Sequence, residues 1–151
     1  IIAHYHSNAK PLQELKKRME LNDNHFVLYE ADYTEKEEII AKFDRTQLIR
    51  VVTNLVKNAI QATQDVENPQ IRVEVKNDKE RVCILVIDNG MGISDENAPL
   101  IFQPKFTTKT SGMGLGLAMV KSIVESCDGS VTFTSRTGTG TVFKVSLPLA
   151  D

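Results

Sequence analysis

Asp88-Asn89-Gly90-Met91-Gly92-Ile93 decides the fold, because it stands where the apolar run Val82-Cys83-Ile84-Leu85-Val86-Ile87 ends. The run reads as a buried strand, and it delivers one carboxylate followed by two glycines with a single residue between them. A carboxylate at the end of such a strand can accept a specific hydrogen bond from a ligand amine. Glycines directly after it let the backbone turn with positive φ and let a flat ring approach the main chain. Asp-Asn-Gly alone is also an ordinary turn signal, so the weight comes from what lies on either side.

On the N-terminal side, the turn Asp78-Lys79-Glu80 leads back to Pro69–Asn77. There Ile71, Val73 and Val75 alternate with Arg72, Glu74 and Lys76, a strand with one buried and one wet face. Further upstream Asp44 opens a long helix, with Gln47 completing a start that resembles a capping box. Leu48, Val51, Val52, Leu55, Ala59 and Ala62 recur at helical spacing and face the core. Asn54, Asn58 and Gln61 form a second stripe beside them. Mid-helix asparagine is disfavoured by propensity. Capping of neighbouring loops is the simpler explanation, and a ligand site is the other. His25–Tyr33 and Glu38–Phe43 read as strands around the solvated turn Thr34-Glu35-Lys36-Glu37. Pro11–Asn22 reads as a short helix, and residues 1–10 as irregular.

On the C-terminal side no long element is expected between Asn89 and Gly112, beyond a short turn near Asn97–Phe102. A connection of that length is usually functional or mobile. Gly112-Met113-Gly114-Leu115-Gly116-Leu117 then runs into a helix with Met119, Val120, Ile123, Val124 and Cys127 on its buried face, and Gly129 is a natural stop. Strands follow at Val131–Phe133 and Phe143–Leu147, joined by Thr137-Gly138-Thr139-Gly140. Several antiparallel strands with one wet face imply a single sheet covered by helices on its other side. The fold class is therefore α+β, a two-layer α/β sandwich with a mixed, mostly antiparallel sheet and helices on one face.

Bulk properties narrow the function. The 151 residues suffice for one domain, and 41% hydrophobic with 25% charged content is ordinary for a globular chain. A net charge of −2 gives no reason to expect nucleic acid as a partner. Cys83 and Cys127 sit in apolar segments, as small core residues do in a reducing compartment, and no metal-ligand spacing joins them to a histidine. No apolar run approaches the ~18 residues needed to span a bilayer, and no signal-peptide pattern is present. A cytoplasmic location is expected. The chain opens on Ile1 rather than methionine, which suggests a piece of something longer.

Glycines at a helix start expose unpaired N–H groups and add partial positive charge, which suits phosphates. No β-α-β unit surrounds Gly112–Gly116, as a dinucleotide fingerprint requires, and no P-loop lysine follows the last glycine. A nucleotide would have to bind by another route: a carboxylate for the base, a mid-helix amide for a metal, a basic loop for the phosphates. Asparagine oxygen suits Mg²⁺, which keeps several waters and takes few protein ligands.

These residues match a family. The chain resembles the ATP-binding catalytic domain of bacterial sensor histidine kinases, within the superfamily of gyrase, heat-shock chaperone and mismatch-repair ATPases. Asn54-Leu55-Val56-Lys57-Asn58-Ala59 is similar to its N box, and Asp88–Gly92 to its first glycine box. Phe102–Lys109 is similar to its phenylalanine box, Gly112–Gly116 to its second glycine box, and Gly140-Thr141-Val142-Phe143 to its closing strand. One such box is common by chance, whereas four in register over residues 25–149 are specific. The phenylalanine and second glycine boxes lean toward nitrogen-regulation-type sensor kinases.

The resemblance implies a Bergerat-type ATP-binding fold over residues 25–151, with a lid loop at 89–112 and residues 1–24 as a remnant leading from an absent histidine domain. It implies ATP and Mg²⁺ as cofactors. Asp88 would accept the adenine amino group, with Thr141 nearby through water, and Gly92 would leave room beside the base. Asn58 would ligate Mg²⁺, with Asn54 supporting the metal or its waters. Gly114 and Gly116 would offer backbone donors to the phosphates, and Lys109 would reach the terminal ones. Phe102 and Phe106 would anchor the lid, unless they are plain core residues. Gly90, Ile93, Lys105, Gly112 and Leu115 complete the implied nucleotide contacts, and Asn54, Asn58 and Lys109 the implied catalytic set. Gln61 stands where many members carry a lysine.

Asn54 departs from the hydrolytic members, which carry a glutamate there as general base. Asparagine cannot take a proton, so the site suits holding ATP for a nucleophile from elsewhere. In sensor kinases that nucleophile is a histidine on a dimeric helical domain of the same parent protein, and a response regulator acts downstream. His6 and Pro11-Leu12 mimic the spacing of the phospho-accepting box, but Ser7 replaces its acid, and too few residues follow for a helical hairpin. The isolated domain is expected to be monomeric, and the parent is compatible with anchoring in the inner membrane. The alternatives are an anti-sigma-type serine/threonine kinase module, which would leave acid-stable phosphoserine on a partner, and a gyrase-, chaperone- or mismatch-repair-type ATPase, which would release phosphate steadily.

Overall fold

The computed structural model describes residues 2–5, 27–30, 44–78, 81–106 and 114–148. In chain order they form β1 (Ile2–Tyr5), β2 (Val27–Glu30), α1 (Arg45–Ala62), β3 (Ile71–Asp78), β4 (Arg81–Asp88), α2 (Gly116–Glu125), β5 (Ser130–Arg136) and β6 (Gly140–Pro148). The six strands make one sheet in the order β2-β1-β3-β4-β6-β5. The pairs β3–β4, β4–β6 and β5–β6 are antiparallel, while β1 runs parallel to both β2 and β3. The mixed, mostly antiparallel sheet expected from sequence is therefore present, with two helices packed against it.

Register explains the two layers. Residues opposite each other in paired strands share a face, so Val73, Val86, Phe143 and Phe133 form one row across β3, β4, β6 and β5. Val75, Ile84, Val145 and Val131 form the next. All of these but Val75 meet Val51, Leu55 and Ala59 of α1 and Val120 and Val124 of α2 in one apolar cluster. Leu55, Val120, Val124 and Val145 are fully buried there. On the opposite face Glu74 pairs with Arg72 at 2.9 Å and with Lys76 at 2.8 Å, which keeps that side of β3 wet.

Helix boundaries follow local chemistry. Asp44 caps α1, its Oδ1 accepting from the N–H groups of Thr46 at 2.9 Å and Gln47 at 3.1 Å. α2 closes differently from the expectation. Asp128, not Gly129, takes the left-handed conformation, with φ 55°. Gly129 donates its N–H to the Val124 carbonyl at 3.0 Å. A side chain at Gly129 would press on Ser146, Leu147 and Val124 at 2.8–2.9 Å, so glycine is required there for packing.

Three other expectations need correction. Residues 2–5 are strand β1 rather than irregular; a four-residue parallel strand leaves too little pattern to read, since its pairing with Val27–Glu30 and with Arg72-Val73 is long-range. Val75, placed on the buried face by alternation, is 41% exposed, because β1 flanks β3 only as far as Val73. Met119 is also exposed and Cys127 only half-buried, so the buried stripe of α2 is narrower than its sequence suggests. β2 falls inside the strand expected at 25–33. The helix at 11–22, the turn at 34–37, the strand at 38–43, His6 and His25 lie outside the described residues.

Candidate functional site

At one end of the sheet the apolar rows give way to a row of a different kind: Ile71, Asp88, Thr141 and Ser135, opposite one another across β3, β4, β6 and β5. Asp88 and Thr141 are buried, at 8% and 5% exposure. A carboxylate so placed needs donors, and it has them: the Gly90 N–H reaches Asp88 Oδ1 at 2.8 Å. Burial raises the Asp88 pKa above its usual 3.8, while the backbone N–H groups of Gly90 and Thr141 pull it back down.

The loop after Asp88 is pinned on several sides. Asn89 accepts from Gln70 N at 2.7 Å and donates through Nδ2 to the Asn68 carbonyl at 2.9 Å, tying the loop to the segment before β3. Met91 N donates to the Ala62 carbonyl at 2.9 Å, and a side chain at Gly90 would collide with Ala62. Gly92 has φ 72° and lies against the Arg136 carbonyl, so both its conformation and the space beside it call for glycine. Ile93 N donates to Ser135 Oγ at 2.8 Å. Gly140 touches the Asp88 carbonyl so closely that no Cβ fits between them.

The N box and the second glycine segment meet across the gap between the helices. Asn54 Nδ2 donates to the Arg50 carbonyl one turn back at 2.8 Å. Its Oδ1 is the atom nearest to where a Cβ on Gly116 would stand, 3.0 Å away. An amide oxygen is thus aimed at the first turn of α2, where the helix presents its unpaired N–H groups. Asn58 lies one turn further along α1, half-buried. Oxygen donors of this kind fit a hard divalent cation that retains its waters. Among the described residues no group of three or more His, Cys, Asp and Glu side chains is placed to hold a metal.

The phenylalanine segment is anchored in the core. Phe102 packs edge-on to Phe133 and Phe143, with ring centroids 6.0 and 6.4 Å away, and the Lys121 ammonium lies 6.0 Å from its ring. Phe106 is partly buried against the same cluster. Lys105, with φ 67°, donates its N–H to the Gly114 carbonyl at 2.9 Å, which holds the two ends of the 106–114 stretch together. Leu115 is exposed. Lys109 and Gly112 lie outside the described residues.

The structure therefore gathers Asp88, Gly90, Gly92, Ile93 and Thr141 at one end of the sheet. It brings Asn54 to Gly116, and Lys105 to Gly114. Sequence reading missed Ser135, although it alternates in phase with the inward-facing Val131 and Phe133. It also gave Asn89 no role beyond a turn.

A family model described as histidine kinase-, DNA gyrase B-, and HSP90-like ATPase matches residues 43–151. The chain is 40% identical over 110 residues to the C4-dicarboxylate transport sensor protein DctS of Rhodobacter capsulatus, covering 70% of this chain and 16% of that protein. It is 42% identical over 107 residues to the sensor histidine kinase ZraS of Salmonella typhimurium, covering 70% of this chain and 23% of that protein. Among solved structures, the nucleotide-free catalytic domain of the histidine kinase ThkA superimposes with a TM-score of 0.67 at 29% identity, covering 97% of this chain and 77% of that one. The chain thus spans between 16% and 23% of the length of these two curated relatives.

Proposed function

The chain belongs to the family of histidine kinase-, DNA gyrase B- and HSP90-like ATPases, and from that premise we propose that it is the catalytic domain of a two-component sensor histidine kinase, binding Mg-ATP and passing the γ-phosphoryl group to a histidine on a separate dimerisation domain. One observation carries the reading. Asp88 and Thr141 stand side by side at the end of the sheet, next to the loop that carries Gly90 and Gly92.

In this reading Asp88 accepts the adenine amino group, and Thr141 serves the adjacent edge of the ring. Asn58, with Asn54 beside it, holds Mg²⁺, which neutralises charge on the phosphates when bound. Gly114 and Gly116 offer N–H groups to the phosphates, and Lys109 reaches the terminal one. Phe102 and Phe106 anchor the 89–112 lid through their contacts with the core. The catalytic domain takes in 25–151 and also β1, which lies between β2 and β3 in the same sheet, so the connection toward the histidine domain does not comprise all of 1–24.

The proposed chemistry places little covalent work on this chain. A neutral imidazole nitrogen from the partner domain attacks the γ-phosphorus, the bond to the bridging oxygen breaks, and ADP departs. Positioning and charge stabilisation supply the rate. Asn54 has no proton-accepting capacity, which favours transfer over hydrolysis. The further partner is a response regulator that takes the phosphoryl group from the histidine. The domain is proposed to act as a monomer in the cytoplasm; no helix among the described residues is long and apolar enough to cross a membrane.

Mixing the chain with a dimeric histidine domain and γ-labelled ATP tests the proposal. Acid-labile label on the histidine domain is expected. Acid-stable label would indicate hydroxyl phosphorylation, and steady phosphate release without label would indicate an ATPase; either result overturns the kinase assignment.

A further inference from the structure

We infer that Asn89-Gly90 is a modification site, where water converts asparagine to aspartate or isoaspartate with loss of ammonia, and that the fold holds it shut by tying both reacting groups to other partners. The inference does not depend on what the neighbouring site binds.

Asn89 is the one asparagine of the chain that glycine follows. Asparagine is a chemically labile residue. It is most labile in this context, because the next amide nitrogen is the attacking group and glycine carries no Cβ to obstruct it. The Gly90 nitrogen gives up its proton and attacks Asn89 Cγ. The new C–N bond closes a cyclic imide, and Nδ2 takes up the proton and leaves as ammonia. Water then opens the imide at either carbonyl. One opening leaves aspartate at position 89. The other routes the main chain through the former side chain, as isoaspartate.

Both reacting groups are occupied in the fold. The Gly90 N–H donates to Asp88 Oδ1 at 2.8 Å, so removing its proton would set an anion against the carboxylate. Asn89 Oδ1 accepts the Gln70 N–H at 2.7 Å, and Nδ2 donates to the Asn68 carbonyl at 2.9 Å. Ring closure draws Cγ toward the Gly90 nitrogen and expels Nδ2. That breaks the bond to Asn68 outright and pulls Oδ1 from Gln70, leaving their partners unpaired. The main chain is held as well. Asn89 N donates to the Gln70 carbonyl at 3.2 Å, and Gly90 lies against Ala62, whose carbonyl accepts the Met91 N–H at 2.9 Å. Reaction therefore waits on a local opening that parts the end of β4 from the segment before β3. Aspartate at position 89 would set a charge against the Asn68 carbonyl in place of a donor, and isoaspartate would lengthen the main chain between Asp88 and Gly90. Neither product regains the amide, so the lifetime of this loop is set by how rarely it opens.

The test follows the peptide that carries Asn89 by mass spectrometry while the chain is incubated in mildly alkaline buffer. The folded chain is expected to gain the mass of deamidation on the order of 100-fold more slowly than the same chain unfolded in guanidinium chloride, since several bonds must part first. Gln70→Pro removes the N–H that Asn89 Oδ1 accepts and leaves Asp88 untouched. Its folded form, verified by circular dichroism, is expected to react about tenfold faster than the original. Equal rates in the folded and unfolded chain, or no acceleration in a folded Gln70→Pro variant, would overturn the inference. If that variant does not fold, the original chain decides alone. Across a denaturant titration that begins below the unfolding transition, the Asn89 rate is expected to rise in proportion to deuterium exchange at the Gln70 amide. A rate that does not follow that exchange overturns the inference instead.

Discussion

Asp88 stands in a place that penalises its charged form. Burial raises its pKa above the ordinary 3.8, and the N–H groups of Gly90 and Thr141 offset only part of that rise. Between 3.8 and the raised value the folded protein binds more protons than the unfolded chain, so stability falls as pH rises through that window. The cost is absent below the ordinary pKa and persists at neutral pH. Asp88→Asn removes the charge and keeps an oxygen for Gly90, so the nucleotide-free variant is expected to melt above the original protein at pH 7 and to lose that advantage in acid. The same substitution weakens ATP roughly 10- to 100-fold, since a hydrogen bond to a charged group contributes about 1.5–3 kcal/mol. Scanning calorimetry across pH and titration with ATP check the two halves; a variant that melts lower at pH 7 contradicts the burial argument. Asp88 was legible in the sequence because an acid ending an apolar run, followed by two spaced glycines, stood in register with the segments on either side. Ser135 was not, because a serine near a strand end is unremarkable until its cross-strand partners are known.

The α1 and α2 helices show how far local pattern carries. Asp44, Gln47 and the apolar stripe from Leu48 to Ala59 specify α1 almost completely, cap included. The start of α2 is specified by its glycines, but what they are for emerges only from the pairing of the helices. A Cβ on Gly116 would stand 3.0 Å from Asn54 Oδ1, close enough that the amide must give way by a few tenths of an ångström. Gly116→Ala favours the helix by up to about 1 kcal/mol, yet its methyl group pushes the Asn54 amide out of place. Unchanged or higher thermal stability is therefore expected together with Mg-ATP affinity lower by about tenfold, the worth of one misdirected polar contact. Denaturation curves and nucleotide titration on the same sample separate the effects. Unaltered affinity would remove the Asn54–Gly116 junction from the site. β1 marks the limit of such reading: its four residues acquire meaning only from strands about 25 and 70 residues away.

Two-layer architecture was readable because each layer repeats its own period, two in the strands and near four in the helices. What no period encodes is the row in which the strands end, and the site is built from that row. The core lies below it: Leu55 is fully buried beside Asn54 on α1, but points into the apolar cluster rather than toward Gly116. If core and site are separable, Leu55→Ala should cost about 2–5 kcal/mol of stability while leaving the gain from ligand intact. Mg-ATP at about 100 times its dissociation constant adds roughly 2.7 kcal/mol to any protein that binds it only when folded. The original chain's constant sets one ATP concentration for every variant. The same increment is then expected in the original chain and in Leu55→Ala, and only about 0.4–1.4 kcal/mol in Asp88→Asn, as a 100- to 10-fold weaker affinity dictates. Urea titrations with and without Mg-ATP provide the comparison. A Leu55→Ala protein that still folds but gains nothing from nucleotide would mean that packing under α1 sets the position of Asn54 and Asn58, and that the site is a property of the whole two-layer body rather than of its upper edge.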